Sequence, residues 1–165
     1  MKTRQEKDSV GEKEVPKDAY YGIQSLRAAE NFKITNLKIH PELIRAMAMV
    51  KKAAASANME IGLLNEKKGN ALLKASEEII DGAYQDQFIV DAVQGGAGTS
   101  INMNMNEVLA NRAIEILGGE KGDYSIVHPN NHSNMGQSTN DVVPTAIRIA
   151  VINLTCDALS ELENL

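Results

Sequence analysis

Two short segments concentrate neutral hydrogen-bonding side chains beside glycine. The first runs from Gln94 through Gly95-Gly96-Ala97-Gly98-Thr99-Ser100 to Asn102, Asn104, Asn106 and Glu107, a glycine-rich loop entering a helix. Glycines let backbone N–H groups turn toward a ligand, and a helix N-terminus favours an anion. Thr99 and Ser100 stand at that mouth. The plain alternative is a hydroxyl-capped helix. Asn102, Asn104 and Asn106 are poor helix formers for a helical start, so their amides point to demands from tertiary partners. The loop lacks the Gly-Lys-Ser/Thr ending of a P-loop and the glycine spacing of a Rossmann turn, which removes both nucleotide-binding readings.

The second segment is Gly136-Gln137-Ser138-Thr139-Asn140-Asp141, followed by Pro144. Asn140 or Asp141 would serve as an ordinary cap, with Pro144 in the first turn. Ser138, Thr139 and Asn140 would equally form a carboxylate cradle of two hydroxyls, one amide and free backbone N–H groups, and the roles can coexist. The stretch from Ser125 to Asn140 contains no Asp, Glu, Lys or Arg. Its composition suits a series of Asx turns, or a site in which neutral donors converge on a polar ligand. His40, His128 and His132 have neither the spacing nor the carboxylate neighbours of a metal site. His40 before Pro41 reads as a helix-entry residue, and His128 and His132 read as structural hydrogen-bonding groups.

Helices must position these segments. Leu43, Met47, Val50, Ala54, Ala57 and Ile61 recur at four- and three-residue spacing after Pro41, predicting a helix that stops near Gly62 with those residues inward. A second helix is expected over Glu66 to Ala83, with Leu72, Ala75, Ile79 and Ala83 inward, and a third over about Asn102 to Leu117. Residues 20–32 predict a turn and a short helix. The first eighteen residues, rich in charge, read as an extended, partly mobile arm, and no convincing period-2 segment appears. A last helix from Asp141 keeps Val143, Ile147, Val151, Leu154, Ala158, Leu162 and Leu165 in helical spacing and is apolar on most of its circumference, which requires burial on several sides. It is still periodic at Leu165, so its burial partners are expected in further sequence or in other subunits. Cys156, the single cysteine, reads as a packing residue on this helix.

Composition narrows the classes. The chain has 165 residues, 43 % of them hydrophobic, enough for one domain with a sizeable core. Aromatic content of 4 % with no Trp favours helices packed on helices, a mainly α fold. A net charge of -5 without a basic run argues against nucleic acid. A charged N-terminus and the expectation that no apolar stretch approaches bilayer-spanning length argue against a membrane and for the cytoplasm.

Three stretches together resemble the aspartase/fumarase superfamily across essentially the whole chain: GEKEVPKDAYYGIQSLRAAENF, GGAGTSINMNMNEVLANRA and GQSTNDVVPTA. Tyr20-Tyr21-Gly22-Ile23 and Ala97 are similar to the superfamily's aspartate ammonia-lyase branch, whereas its class II fumarases usually carry a Trp-Gly-Ala-Gln opening and a Ser at the Ala97 position. The resemblance implies a helical N-terminal domain over residues 1–140 and the start of a long central-bundle helix over 141–165. It implies elimination of ammonia from L-aspartate to give fumarate, in a homotetramer, without a cofactor or metal. Carried over by motif, Thr99, Ser138 and Thr139 bind the β-carboxylate and Asn140 holds the amino-group side. Ser100, Asn102, His128, Asn130 and Asn131 are the supporting candidates. The family's later Thr-His pair and Gly-Ser-Ser loop, with its serine base and its lysine, would lie beyond Leu165, so these 165 residues alone are expected to be inactive. A class II fumarate hydratase, or a non-catalytic binding or assembly module on the same domain, are the alternatives.

Overall fold

A computed structural model describes residues 2–164. The order of elements is β1 (Thr3–Lys7), β2 (Glu12–Pro16), α1 (Ile23–Asn31), α2 (Pro41–Glu60), α3 (Glu66–Ile80), α4 (Thr99–Ile116) and α5 (Thr139–Glu163), with a short 3-10 turn at Gln85–Gln87 and a single π turn at Pro129–Ser133. The mainly α architecture is as the composition implies. Solvent-exposed groups end the helices as expected. His40 caps α2, its Nδ1 accepting from the Glu42 N–H at 3.2 Å, and Pro41 takes the first position. Asn65 caps α3 through the Lys67 N–H at 3.0 Å. α3 stops at Ile80, short of Ala83, and α4 starts at Thr99, earlier than Asn102.

The N-terminus departs from expectation. Residues 3–16 are an antiparallel hairpin, Thr3 opposite Pro16 and Lys7 opposite Glu12, not a mobile arm. Its inward residues are mostly charged, which hid the period of two. Asp8 closes the turn by accepting from the Val10 and Gly11 N–H groups. The Arg4 guanidinium pairs with buried Glu6 and donates to the carbonyls of Pro16, Ala19 and Tyr21.

α4 is the central element. Every residue from Ile101 to Asn111 is buried, enclosed by α1, α3 and the segment around the π turn. α2 packs against α3 and α5, and the core includes Ile44, Met47, Leu72, Ile79, Met105, Val108, Leu109 and Ile114. On α2 the inward stripe is Ile44, Met47, Ala48, Lys51, Ala55 and Asn58. The expected stripe is therefore rotated: Met47 stays inside, Leu43, Val50 and Ala54 are half-buried, and Ala57 and Ile61 are exposed. Polar Lys51 and Asn58 take inward positions because polar groups of the 129–137 segment receive them.

α5 is unbroken, and Ser138 is its cap, with Oγ accepting from the Asn140 N–H at 3.3 Å. Pro144 lies past the first turn, where its missing N–H removes the i→i−4 bond to the Asn140 carbonyl. Val142, Val143, Ala146 and Ala150 are buried, and Asn153 donates to Glu42 of α2 at 2.6 Å. Ile147, Val151, Ile152, Leu154, Leu159 and Leu162 remain exposed. Cys156 is exposed as well, so it packs nothing within this chain. The expectation about membrane length also needs correction, because this 25-residue helix is long and apolar enough to cross a bilayer by length and composition.

Candidate functional site

The glycine loop and the start of α5 are built side by side. Asp91 anchors the approach to the loop, accepting from Thr35 Oγ1 at 2.6 Å and from the N–H groups of Thr35, Asn36 and Val93. These donors hold its carboxyl far below the usual carboxylate range. Gln94 then spans the loop, donating to the Asp91 carbonyl and accepting from the Ile101 N–H at 3.2 Å. Gly98 caps α4 at φ +87, a left-handed conformation, and a Cβ there would meet Val143 Cγ1 at 3.0 Å. Glycine is thus required for backbone conformation and for close approach to α5. Loop and helix enclose an open cavity of about 590 Å³ lined by Gly96, Ala97, Ile101, Asn140, Val143 and Pro144, among others.

The predicted residues divide around this junction. Thr99 is exposed and Ser100 half-buried in the first turn of α4, which a glycine and not a hydroxyl caps. Asn102 and Thr139 meet directly: Asn102 Nδ2 lies 3.1 Å from Thr139 Oγ1 and 3.1 Å from Asn134 Oδ1. Asn140 faces the cavity, while Ser138 is engaged as the helix cap. His128 and Asn130 belong elsewhere, lining a separate cavity of about 270 Å³ with Gln24, Met103, Glu107 and Tyr124. His128 Nδ1 accepts from the N–H groups of Asn130 and Asn131, stabilising the π turn, and the His128 N–H donates to His132 Nδ1 at 2.7 Å. These are the structural roles expected of the histidines. Burial, with Lys68 next in effect, pushes the His132 imidazole below its ordinary value.

Of the three asparagines expected to meet tertiary partners, Asn102 and Asn104 do so, whereas buried Asn106 finds none among the described residues. Asn104 accepts from the Ile89 N–H at 2.9 Å and donates to the Gln87 carbonyl. Asn111 donates to the Tyr20 carbonyl and accepts from the Gly122 N–H at 2.7 Å. Asn106 has only a long contact to Met103 Sδ. Glu107 caps α1 from outside, accepting from the N–H groups of Gly22, Gln24 and Ser25 and from the Ser25 hydroxyl. Burial raises its carboxyl above the ordinary value against the lowering effect of these bonds. Gly22 must be glycine here, since a Cβ would lie 2.8 Å from the Glu107 carboxyl carbon.

Sequence reasoning missed Lys51 and Asn134. Lys51 is 1 % exposed, and its Nζ donates to Asn134 Oδ1 at 2.6 Å. Burial brings its ammonium down to about 7, opposed by the charge of Asp141. Only its place on the helical wheel, in line with Ile44, Met47 and Asn58, could have signalled it. Among the described residues, no group of three His, Cys, Asp or Glu side chains is placed to hold a metal ion.

Comparison with known proteins follows the same lines. The lyase family profile matches residues 11–165. An aspartate ammonia-lyase of Bacillus sp is 63 % identical over 92 % of this chain and 32 % of its own, and that of Bacillus subtilis (strain 168) is 57 % identical over 98 % and 34 %. A class II fumarate hydratase of Halobacterium salinarum is 51 % identical over 98 % of this chain and 34 % of its own. Among solved structures, a fumarate lyase:delta crystallin from Brucella melitensis superposes with a TM-score of 0.90 at 56 % identity, covering 92 % of this chain and 36 % of that one. A class II fumarase from Schistosoma mansoni gives 0.86 at 37 % identity, over 91 % and 32 %. The chain spans about a third of the length of the curated relatives it matches.

Proposed function

This chain belongs to the lyase family, within the aspartase/fumarase superfamily, and on that premise we propose that it supplies the carboxylate-binding part of an aspartate ammonia-lyase. The observation that carries the proposal is the Asn102–Thr139 contact. An amide Nδ2 only donates, so Thr139 Oγ1 accepts there and keeps its own proton for a ligand. Thr99 and Ser138 add hydroxyls at the starts of the two neighbouring helices, and Asn140 adds an amide beside the cavity. Helix N-termini contribute unpaired N–H groups to the same region.

Neutral donors suit the proposed reaction. Transfer of the proton next to the β-carboxylate to a base of the complete protein leaves the C–H electron pair to move into that group, giving a doubly charged aci-carboxylate. The pair then returns to form the carbon–carbon double bond of fumarate as the C–N bond breaks and ammonia leaves. Donors held in place strengthen toward the growing charge without ionising. The amino group would lie toward Asn140, and Asn102 Oδ1 is a buried acceptor with no partner among the described residues. His128, Asn130 and Asn131 enter this reading only as supports of the turn that carries Asn134.

The relatives named as aspartate ammonia-lyases, the Tyr20-Tyr21-Gly22-Ile23 opening and Ala97 favour aspartate over malate as substrate. The similarity to a class II fumarate hydratase keeps hydration of fumarate as the second reading. A cytoplasmic homotetramer, with a domain division near residue 140 and the α5 face covered by other helices, belongs to the same proposal. The exposed apolar side of α5 supports the covering of that face by other helices, and the charged N-terminal residues support the compartment.

The test is steady-state kinetics of the complete protein, following fumarate. Aspartate should be deaminated, and Thr139→Val should lower kcat on the order of 10²-fold, as for loss of an oxyanion donor. Its thermal stability should change little, because Ser138 and not Thr139 caps α5. Malate turnover without aspartate turnover would overturn the reading in favour of the hydratase. Normal kcat in the Thr139→Val protein would remove Thr139 from the site.

A further inference from the structure

Among the described residues Lys51 is the largest fully buried side chain, and no carboxylate forms an ion pair with it. An ammonium has three donors and no acceptor, so Asn134 must turn its Oδ1 toward it. The other end of that amide is consistent, since Asn134 Nδ2 donates to the Gln137 carbonyl at 3.0 Å. With Asn134 Oδ1 as acceptor, Asn102 must present Nδ2, and Thr139 must in turn accept from Asn102. The hydrogen-bond direction of the whole chain, from α2 through the 129–137 segment to α4 and α5, is therefore fixed by the Gln137 carbonyl, and it leaves Asn134 Oδ1 as an acceptor matched to a donor at Lys51.

Extending the reading above, in which the cradle holds a carboxylate, we propose that Lys51 is a positioning residue of this site, which binds a dicarboxylate with uptake of one proton at the Lys51 amine. The proton comes from solvent and converts the amine to ammonium, with no other bond made or broken.

The surroundings support this direction. Facing Lys51, α4 presents neutral Asn102 and the 129–137 segment neutral Asn134. Asp141 on α5 is the charged group that favours its protonation, and it does not outweigh the effect of burial. Beyond Asn134, Lys68 of α3 lies 3.2 Å from His132 Nε2, a pair that adds positive and not negative charge on that side. On α2 itself, Lys52 is paired with Glu77 of α3 at 3.0 Å. Burial brings Lys51 down to about 7, so a fraction of the molecules lacks the proton near neutrality, and a nearby anion restores it.

The experiment is calorimetric titration of the complete protein with succinate, a dicarboxylate that cannot eliminate ammonia, at about pH 8 in buffers of different ionisation enthalpy. The wild type should take up between about half a proton and one proton per site. Lys51→Met, which removes a buried charge and so should fold, is expected to bind at least tenfold more weakly with no uptake. Lys51→Gln, which keeps a neutral donor for Asn134, should recover part of the affinity and none of the uptake. A packing role alone would leave the proton count unmoved. Absence of uptake in the wild type, undiminished uptake in both variants, or no succinate binding at all would overturn the proposal. Aspartate turnover measured in parallel separates the two readings. Turnover without uptake defeats this inference alone, and Lys51-dependent uptake without turnover defeats the ammonia-lyase reading alone.

Discussion

α4 and α5 invert the usual relation between hydropathy and burial. α4 carries Asn102, Asn104, Asn106, Glu107 and Asn111, yet all of these are buried. α5 carries Ile147, Val151, Ile152 and Leu154, yet these are exposed. α4 can be polar because most of its polar groups have a built partner: backbone N–H groups and carbonyls from loops and from the first turn of α1, which lack a helical or strand partner of their own. Among the described residues, α5 finds apolar partners within this chain along Val142, Val143, Ala146, Ile149 and Ala150, on one side of its first half. The composition of a helix therefore states what its surroundings must supply, and the fold decides whether they supply it.

The largest effect should come from Glu107→Leu, which makes α4 more apolar while stranding the N–H groups of Gly22, Gln24 and Ser25 at the buried start of α1. At roughly 1–3 kcal/mol for each unpaired buried group, about 5 kcal/mol should be lost in urea unfolding. A loss below about 1 kcal/mol would mean that α4 does not need its polar partners.

Lys51 should come next. Burial brings its amine from the ordinary 10.5 to about 7 on folding, so the unfolded chain holds the proton more tightly. Stability is then greatest above the unfolded value and falls as pH drops toward the folded one. At about 1.4 kcal/mol per unit, the fall should reach about 3 kcal/mol between pH 10 and pH 7. The difference between wild type and Lys51→Met, followed by unfolding across that range, isolates this contribution. A flat difference would show that the buried amine keeps its ordinary proton affinity.

Asn104→Leu sharpens the contrast at one site. Leucine is the better helix former, but it leaves the Ile89 N–H and Gln87 carbonyl unpaired, and about 2 kcal/mol should be lost. The smallest effect belongs to α5. Val151→Lys with Leu154→Lys should change the stability of the 165-residue chain by no more than about 0.5 kcal/mol each. The same pair should abolish self-association of that chain in light scattering, because it interrupts the exposed apolar face. A large loss of stability would show that the face is already covered within the chain.

The local order of residues was enough to locate five helices, the entry to α2 at His40, and the two polar segments that meet at the candidate site, but not the cap of α5, which is Ser138 and not Asn140 or Asp141. Helical periodicity, capping chemistry and glycine stops act over a few residues, so they can be read without knowing what lies across the fold. The family motifs likewise singled out Thr99, Ser138, Thr139 and Asn140. Tertiary structure decided the rest. The hairpin over Thr3–Pro16 was hidden because its inward groups include Arg4 and Glu6, stabilised by carbonyls and by each other, not by apolar contact. The stripe of α2 turned because Lys51 and Asn58 find acceptors on Asn134 and Met135, far along the chain. For the same reason Asn102 was joined to Thr139, while His128 and Asn130 were drawn to a different cavity. A polar side chain is buried only where a partner of the right hydrogen-bonding sense stands opposite, and for these residues the partner comes from a remote part of the sequence.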